Sequence, residues 1–118
     1  MRDQPVTRIM TEPLAFVAPM ATPELARLLM SRKSLHHLAV LSDGQLVGML
    51  SATDLIDTSA ATVAELMQPD PVSIPATATL QDAAEILVSG AFHSLPVVDV
   101  NGRVTGIVTS TDLIRLLI

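Results

Sequence analysis

Two short stretches of the chain combine hydroxyl and carboxylate side chains at a fixed spacing. Ser51-Ala52-Thr53-Asp54 and Thr109-Ser110-Thr111-Asp112 each begin three residues after a glycine. A carboxylate has two acceptor oxygens, so it suits the neighbouring hydroxyls of a ribose. The same Ser/Thr-x-x-Asp spacing also forms a capping box at the start of a helix. The sequence leaves both interpretations open. The candidate residues are Ser51, Thr53, Asp54, Thr109, Thr111 and Asp112.

The hydroxyls of both stretches are predicted to lie where a helix begins. Free backbone N–H groups and the helix dipole favour an anion at such a point, so the hydroxyls could complete a phosphate site. The preceding glycines, Gly48 and Gly106, would either let a ligand approach the backbone or allow tight strand packing. Both alternatives remain open at this stage.

The composition argues against several other functions. The 118 residues carry a net charge of −5, whereas a nucleic-acid partner requires a basic face. The absence of cysteine excludes disulfides, thiolate metal sites and thiol nucleophiles. No apolar run approaches the roughly 20 residues of a membrane span, and the N-terminus lacks the apolar stretch of a signal peptide. We therefore expect a cytoplasmic protein with no nucleic-acid partner and no membrane span.

The chain consists of one unit written twice. A shift of 57 residues places His36 on His93, and after a one-residue insertion a shift of 58 places Asp54 on Asp112. Because His36 and His93 are equivalent positions, the histidines lack the spacing of a single zinc site, and no metal site is expected. The predicted division is residues 1–57 for the first repeat, 58–62 for a linker and 63–118 for the second repeat.

Each repeat is predicted to fold as β-α-β-β-α, which makes the chain an α+β protein. Thr22 and Thr79 are predicted to cap the first helix of their repeats. Asp43-Gly44 and Asn101-Gly102, each between two apolar runs, predict hairpins. The closing helix of the first repeat must be short, because the linker follows it. The predicted core-facing helix residues are Leu25, Leu28 and Leu29 in the first repeat, and Leu80, Ala83, Ala84, Leu87 and Val88 in the second.

Taken together, these motifs resemble a tandem pair of cystathionine β-synthase (CBS) domains, often called a Bateman module and here standing alone. The resemblance covers about residues 6–117 and depends on the closing motifs, the hairpins and the segments around His36 and His93. It implies two repeats packed about a pseudo-two-fold axis. It further implies clefts between the repeats for AMP, ADP, ATP or S-adenosylmethionine as a regulatory ligand. Together with the apolar helices, it predicts a homodimer formed through helical faces.

The resemblance also assigns ligand roles to residues. The aspartates and hydroxyls of the closing motifs would bind ribose or phosphate. His36, His37 and His93 occupy the place of basic residues that face phosphates, whereas Ser94 stands where many members carry arginine. Segment 11–16 would serve the Asp112 site, and segment 68–73 the Asp54 site. The implied walls and edges of the adenine pocket are Met49, Ile107, Thr11, Leu14, Phe16, Gln68, Pro71 and Ser73. Phe16 and Phe92 could stack on adenine, but core packing is the favoured interpretation for both.

The leading hypothesis is a non-catalytic module that binds an adenosine-containing ligand and signals to a separate enzyme or transporter. It requires no cofactor. The alternative is a structural dimerisation module with non-binding clefts. A third possibility, an enzyme such as a phosphoesterase, has no nucleophile–base pair or clustered carboxylates in its favour. Two histidines near Asp54 against one near Asp112 predict that a phosphorylated ligand prefers the Asp54 site, with an affinity that rises as pH falls from about 8 to about 6.

Overall fold

The computed structural model describes residues 1–11, 15–90 and 94–118, which form an α+β fold with two sheets. The strands are β1 (Phe16–Val17), β2 (His37–Ser42), β3 (Gln45–Ser51), β4 (Gln68–Pro69), β5 (Ile74–Pro75), β6 (Ser94–Val98) and β7 (Val104–Thr109). The helices are α1 (Pro23–Lys33), α2 (Leu80–Val88) and α3 (Ser110–Arg115). Short 3-10 turns cover Val6–Arg8, Asp54–Ile56 and Val63–Glu65.

The two sheets share a pattern of three strands, to which one of the sheets adds a fourth. In one, β1 runs parallel to β2, and β2 pairs with β3 in an antiparallel hairpin that is extended by β4. In the other, β5 runs parallel to β6, and β6 pairs with β7 in an antiparallel hairpin. The predicted hairpins are confirmed. Asp43 and Gly44 both have positive φ in the first turn, and in the second the side chain of Asp99 accepts hydrogen bonds from the backbone of Asn101 and Arg103.

The chain forms two compact units that exchange a segment relative to the sequence repeats. One unit comprises residues 15–71, and the other comprises residues 1–14 and 72–118. Val63, from the second repeat, is fully buried beside Leu50 in the core of the first of these units. Val6, from the first repeat, is fully buried beside Val108 in the core of the other. Each core is therefore completed by the opening segment of the opposite repeat.

The predicted caps at the first residues of α1 and α2 are confirmed. The predicted core-facing residues are confirmed more fully in α2 than in α1. The Thr22 hydroxyl accepts from the backbone of Leu25, and Thr79 and Asp82 form a reciprocal capping box. In α2 the predicted positions Leu80, Ala83 and Leu87 are buried, whereas Val88 is exposed.

The predicted core face of α1 is wrong for Leu25 and Leu28, whereas Leu29 is partly buried against the core as predicted. Leu25 and Leu28 are 44% and 48% exposed, whereas Ala26 and Met30 are buried. Ala26 and Met30 also satisfy the helical spacing, and they form a face that begins with the buried Pro23. The helix consequently presents two leucines to solvent.

The two repeats close differently. The second ends in α3, but the first forms only the 3-10 turn at Asp54–Ile56. The guanidinium of Arg27, on α1, donates to the carbonyl of Leu55 at 2.6 and 3.2 Å and to that of Asp57 at 3.4 Å. These bonds satisfy carbonyls that the short turn leaves without helical partners. The short closing element that the sequence predicted is confirmed. None of the helices within the three described ranges combines the length and apolar character that crossing a membrane requires.

Candidate functional site

Both closing motifs form the reciprocal hydrogen bonds of a capping box; at Ser51 these bonds precede a 3-10 turn that begins at Asp54. Asp112 Oδ2 accepts from the backbone N–H of Thr109 at 2.8 Å and from its hydroxyl at 3.0 Å, and the same hydroxyl oxygen accepts from the Asp112 N–H at 3.3 Å. Asp54 Oδ2 accepts from the Ser51 N–H at 2.8 Å, and Ser51 Oγ accepts from the Asp54 N–H at 3.2 Å. The capping interpretation is therefore confirmed at both motifs.

Capping occupies only one oxygen of each carboxylate. Within residues 1–11, 15–90 and 94–118, no donor bonds to Oδ1 of Asp112. Oδ1 of Asp54 accepts from Nε2 of Gln68 at 3.3 Å. Capping fixes the orientation of each carboxylate and leaves the second oxygen to face other donors. The two interpretations of the motif, capping and ribose binding, are thus compatible.

The hydroxyls of the motifs fall into two pairs. Ser51 and Thr109 are engaged in the caps, whereas Thr53 and Thr111 are exposed one residue before each aspartate. The elements that follow are a three-residue 3-10 turn and a six-residue helix, which align few peptide dipoles. The ligand roles of these four hydroxyls stay predictions.

Gly48 and Gly106 serve strand packing. A Cβ on Gly106 would lie 2.7 Å from the sulfur of Met10 and 3.0 Å from the carbonyl oxygen of Thr11. A Cβ on Gly48 would meet the sulfur of Met67 and lie 3.1 Å from the carbonyl oxygen of Gln68. Of the two alternatives raised by the sequence, the structure supports close approach of the exchanged segment to the strand.

The exchanged segments pair with the strands that lead into the motifs. Thr11 and Ile107 exchange two backbone hydrogen bonds, of 2.8 and 3.3 Å. Gln68 occupies the equivalent place opposite Met49 in the pairing of β4 with β3. Thr11 thus lies in the unit of Asp112 and Gln68 in the unit of Asp54, whereas Phe16 and Ser73, at the other ends of the two predicted segments, lie in the opposite units. The assignment of segments 11–16 and 68–73 to ligand sites stays a prediction.

Met49 and Ile107, the predicted walls of an adenine pocket, are each only 7% exposed. Their strand neighbours Leu50 and Val108 belong to the two cores, so alternation places Met49 and Ile107 on the opposite faces of the sheets. They lie one strand position beyond Gly48 and Gly106 and five residues before the aspartates. Their contact with adenine stays a prediction.

The other predicted pocket residues are dispersed. Phe16 is 55% exposed on β1, so the favoured prediction of core packing is wrong for this side chain. Pro71 is half-buried at the end of the unit that contains Asp54, and Ser73 is exposed in the other unit. Leu14, Phe92 and His93 lie outside the described residues.

The histidines differ in their relation to the motifs. His37 pairs directly with Ser51 across the β2–β3 ladder, and Ser94 pairs with Thr109 across β6–β7. Directly opposed side chains project from the same face of a sheet, so His37 lies beside the Asp54 motif. His36 is exposed just before β2, and its carbonyl accepts from the N–H of Ala52. In the part of the chain that the structure describes, no three His, Asp or Glu side chains are placed to hold a metal ion.

Sequence reasoning missed the contact between Gln68 and Asp54. The repeat shift of 57 aligns Gln68 with Thr11. The difference in residue type between these two positions was the one feature of the sequence that could have indicated the contact. The contact itself depends on the exchange of segments between the units.

Comparison with known proteins identifies the same domain in both halves of the chain. The family model described as "CBS domain" matches residues 6–61 and again residues 63–118. Inosine-5'-monophosphate dehydrogenase of Thermoplasma acidophilum is 31% identical over 99 residues, which cover 83% of this chain and 20% of the relative. The chain spans between 19% and 37% of the length of the first curated relatives it matches.

Two solved structures are similar over nearly the whole chain. CBSX2 of Arabidopsis thaliana in complex with AMP has a TM-score of 0.86 and 31% identity, with coverage of 97% of this chain and 96% of that one. The cytosolic domain of the Mg²⁺ channel MgtE in complex with ATP has a TM-score of 0.84 and 29% identity, with coverage of 97% and 49%.

Proposed function

Because the chain belongs to the CBS domain family, we propose that it is a non-catalytic regulatory module that binds an adenosine-containing ligand and signals to a partner protein. The observation that carries this proposal is the second oxygen of each capped aspartate. Asp54 and Asp112 are held in a fixed orientation by their caps, and each directs Oδ1 away from the cap. A fixed carboxylate oxygen is a suitable acceptor for a ribose hydroxyl. The AMP and ATP in the two similar structures support this class of ligand.

The remaining ligand contacts follow from the position of each residue. Met49 and Ile107 provide apolar walls for adenine, and the backbone of segments 11 and 68 provides its edges. His36 and His37 supply donors to phosphate near the Asp54 motif, and His93 does so near the Asp112 motif. Thr53 and Thr111 add exposed hydroxyls.

Signalling requires that the ligand bind one arrangement of the module more tightly than another. The partner is a separate or attached enzyme or transporter, a class that includes the dehydrogenase and channel named above. The module acts as a homodimer in the cytoplasm. It uses the nucleotide or S-adenosylmethionine as a signal and requires no cofactor.

A second candidate is a structural dimerisation module. It is favoured by an open apolar groove of about 410 Å³ beside α2 and α3, with Leu113 and Leu117 among its lining residues. It is also consistent with the capping role of both aspartates, which by itself needs no ligand.

A thermal-shift screen against AMP, ADP, ATP, S-adenosylmethionine and NADH separates the two candidates. We expect an adenosine compound to raise the melting temperature, and calorimetry to give its affinity. Asp54→Asn and Asp112→Asn keep a capping oxygen but replace Oδ1 with a donor. Losing a hydrogen bond to a charged group costs about 1.5–3 kcal/mol, so each change should weaken its own site tenfold or more.

Asp82→Asn is the matched control, because Asp82 caps Thr79 with the same geometry on α2. It should leave the affinity unchanged. A parent protein that binds none of the five compounds would favour the structural candidate. Product analysis after incubation would expose turnover and contradict the non-catalytic assignment.

A further inference from the structure

Asp54 and Asp112 differ in what bonds to Oδ1, the oxygen that the capping bonds do not use. Gln68 Nε2 donates to Oδ1 of Asp54 at 3.3 Å. Within the described ranges of the chain, Oδ1 of Asp112 accepts from no protein group. The difference is confined to the oxygen that capping leaves available, because Oδ2 accepts a backbone N–H at 2.8 Å in both motifs.

The exchanged segments pair with the neighbouring strand at equivalent positions beside the two aspartates, but they carry different residue types there. Gln68 lies opposite Met49, and Thr11 lies opposite Ile107. Met49 and Ile107 each precede their aspartate by five residues. The side chain of Thr11 ends at its γ atoms, whereas Gln68 carries its amide two atoms further along the chain of carbons. Only the longer side chain reaches the carboxylate.

From this arrangement we infer that Gln68 is an internal competitor for the ribose-binding oxygen of Asp54 and thereby sets the affinity of that site. The inference rests on the ribose role proposed above. A primary amide donates N–H groups and so takes up one of the two acceptor positions of Oδ1 that a ribose hydroxyl would use. A ligand at the Asp54 site competes with this amide for Oδ1, whereas Oδ1 of Asp112 accepts from no such donor among the described residues. The two sites of this chain are therefore unequal at the ribose end.

The expected effect is modest, because the contact is exposed. Exposed polar pairs of this kind change an equilibrium roughly two- to fivefold. Gln68→Thr places at this position the residue found at the equivalent position of the other repeat. It should strengthen binding at the Asp54 site by that factor. Thr11→Gln should weaken the Asp112 site by a similar factor.

The test is calorimetry with adenosine, which lacks phosphate and so isolates the ribose end. Gln68→Thr is measured in an Asp112→Asn background, where only the Asp54 site binds, and Thr11→Gln in an Asp54→Asn background. The control is Gln68→Thr in the Asp54→Asn background, where no change is expected. Unchanged or weakened binding by Gln68→Thr at the Asp54 site would overturn the inference while leaving the proposed function intact.

Two further outcomes are distinguishable. Binding by the Gln68→Thr protein where the parent gives no signal would support the inference strongly. Absence of binding in the parent and in every variant would overturn the proposed function and the inference together.

A ligand-free measurement tests the contact itself: the side-chain amide resonances of Gln68 should shift on Asp54→Asn and not on Asp112→Asn. Equal resonances in all three proteins would contradict the contact.

Discussion

His37 lies directly opposite Ser51 across the ladder of β2 and β3, whereas Ser94 holds the same place opposite Thr109 in the other sheet. This pairing puts an imidazole beside the Asp54 motif and a hydroxyl beside the Asp112 motif. Under the ligand roles proposed above, the two sites differ near the phosphate as well as near the ribose. In that proposal the imidazole of His37 favours a phosphorylated ligand at the Asp54 site, whereas the amide of Gln68 competes with its ribose.

The first prediction concerns pH and phosphate. Imidazole becomes charged near pH 6.5, and a bound phosphate favours the charged form. AMP affinity at the Asp54 site, measured by calorimetry in the Asp112→Asn background, should rise as pH falls from about 8 to about 6. His37→Ser should reduce this rise, and Ser94→His should increase the corresponding rise at the Asp112 site.

Adenosine is the matched control, because it has no phosphate. Its affinity should change little over the same pH range. An equal pH dependence for adenosine and AMP would assign the effect to the protein's folding rather than to a histidine–phosphate contact.

The second prediction concerns the segment exchange. Gly106→Ala places a Cβ 2.7 Å from the sulfur of Met10 and 3.0 Å from the carbonyl oxygen of Thr11. Overpacking of this kind typically costs about 1–3 kcal/mol, so the free energy of unfolding in urea should fall by that amount. Met10→Ala in the same chain should recover part of the loss, because the flexible sulfur is one of the two obstacles. Strictly additive losses in the double variant would show that Met10 does not restrict this position.

The features that were predictable from the sequence are local. The caps at Thr22 and Thr79 and the turn at Asp43-Gly44 each depend on residues within a few positions of one another. Their hydrogen bonds depend on the local backbone geometry and not on which distant segments pack nearby. The duplicated pattern then fixed the order of elements, since the same signals occur twice.

The features that were not predictable depend on distant segments. The exposed Leu25 could not be told from the buried Ala26, because both satisfy the helical spacing and only packing on the sheet selects one face. The bond between Gln68 and Asp54 exists because a segment of one repeat lies in the unit of the other. The family resemblance supplied that pairing of segments, but not the individual bond.

The third prediction concerns acid stability. Backbone N–H groups of Thr62 and Ala61 donate to Oε2 of Glu65 at 2.8 and 2.7 Å, and they hold the pKa of this carboxyl below its usual value of 4.5. A lowered folded-state pKa contributes stability that is present above about pH 4.5 and is lost as pH falls through the folded-state value. Glu65→Gln should therefore lower the melting temperature at pH 7, and the difference from the parent should shrink below pH 4.5.

Glu85→Gln is the control for charge removal, because Glu85 is exposed on α2 and, among the described residues, accepts only from the side chain of Gln81. It should change the melting temperature at pH 7 by less than Glu65→Gln does. A Glu65→Gln difference that persists unchanged at pH 3 would show that the effect does not come from the charged carboxylate.

The last prediction concerns assembly. Ile114 and Leu117, near the end of the second repeat, are 56% and 83% exposed and line one apolar groove, and exposed apolar surface of this kind marks an interface. We expect light scattering to give the mass of a dimer at tens of micromolar, roughly where weak dimers form. Leu117→Glu should shift the mass to that of a monomer, because it places a charge in the groove beside α2 and α3. Val100→Glu is the matched control, since Val100 is 96% exposed on the loop between β6 and β7, and it should leave the dimer intact. A monomer in the parent protein would contradict the predicted dimer. An equal loss of dimer in both variants would contradict the assignment of the interface to this groove.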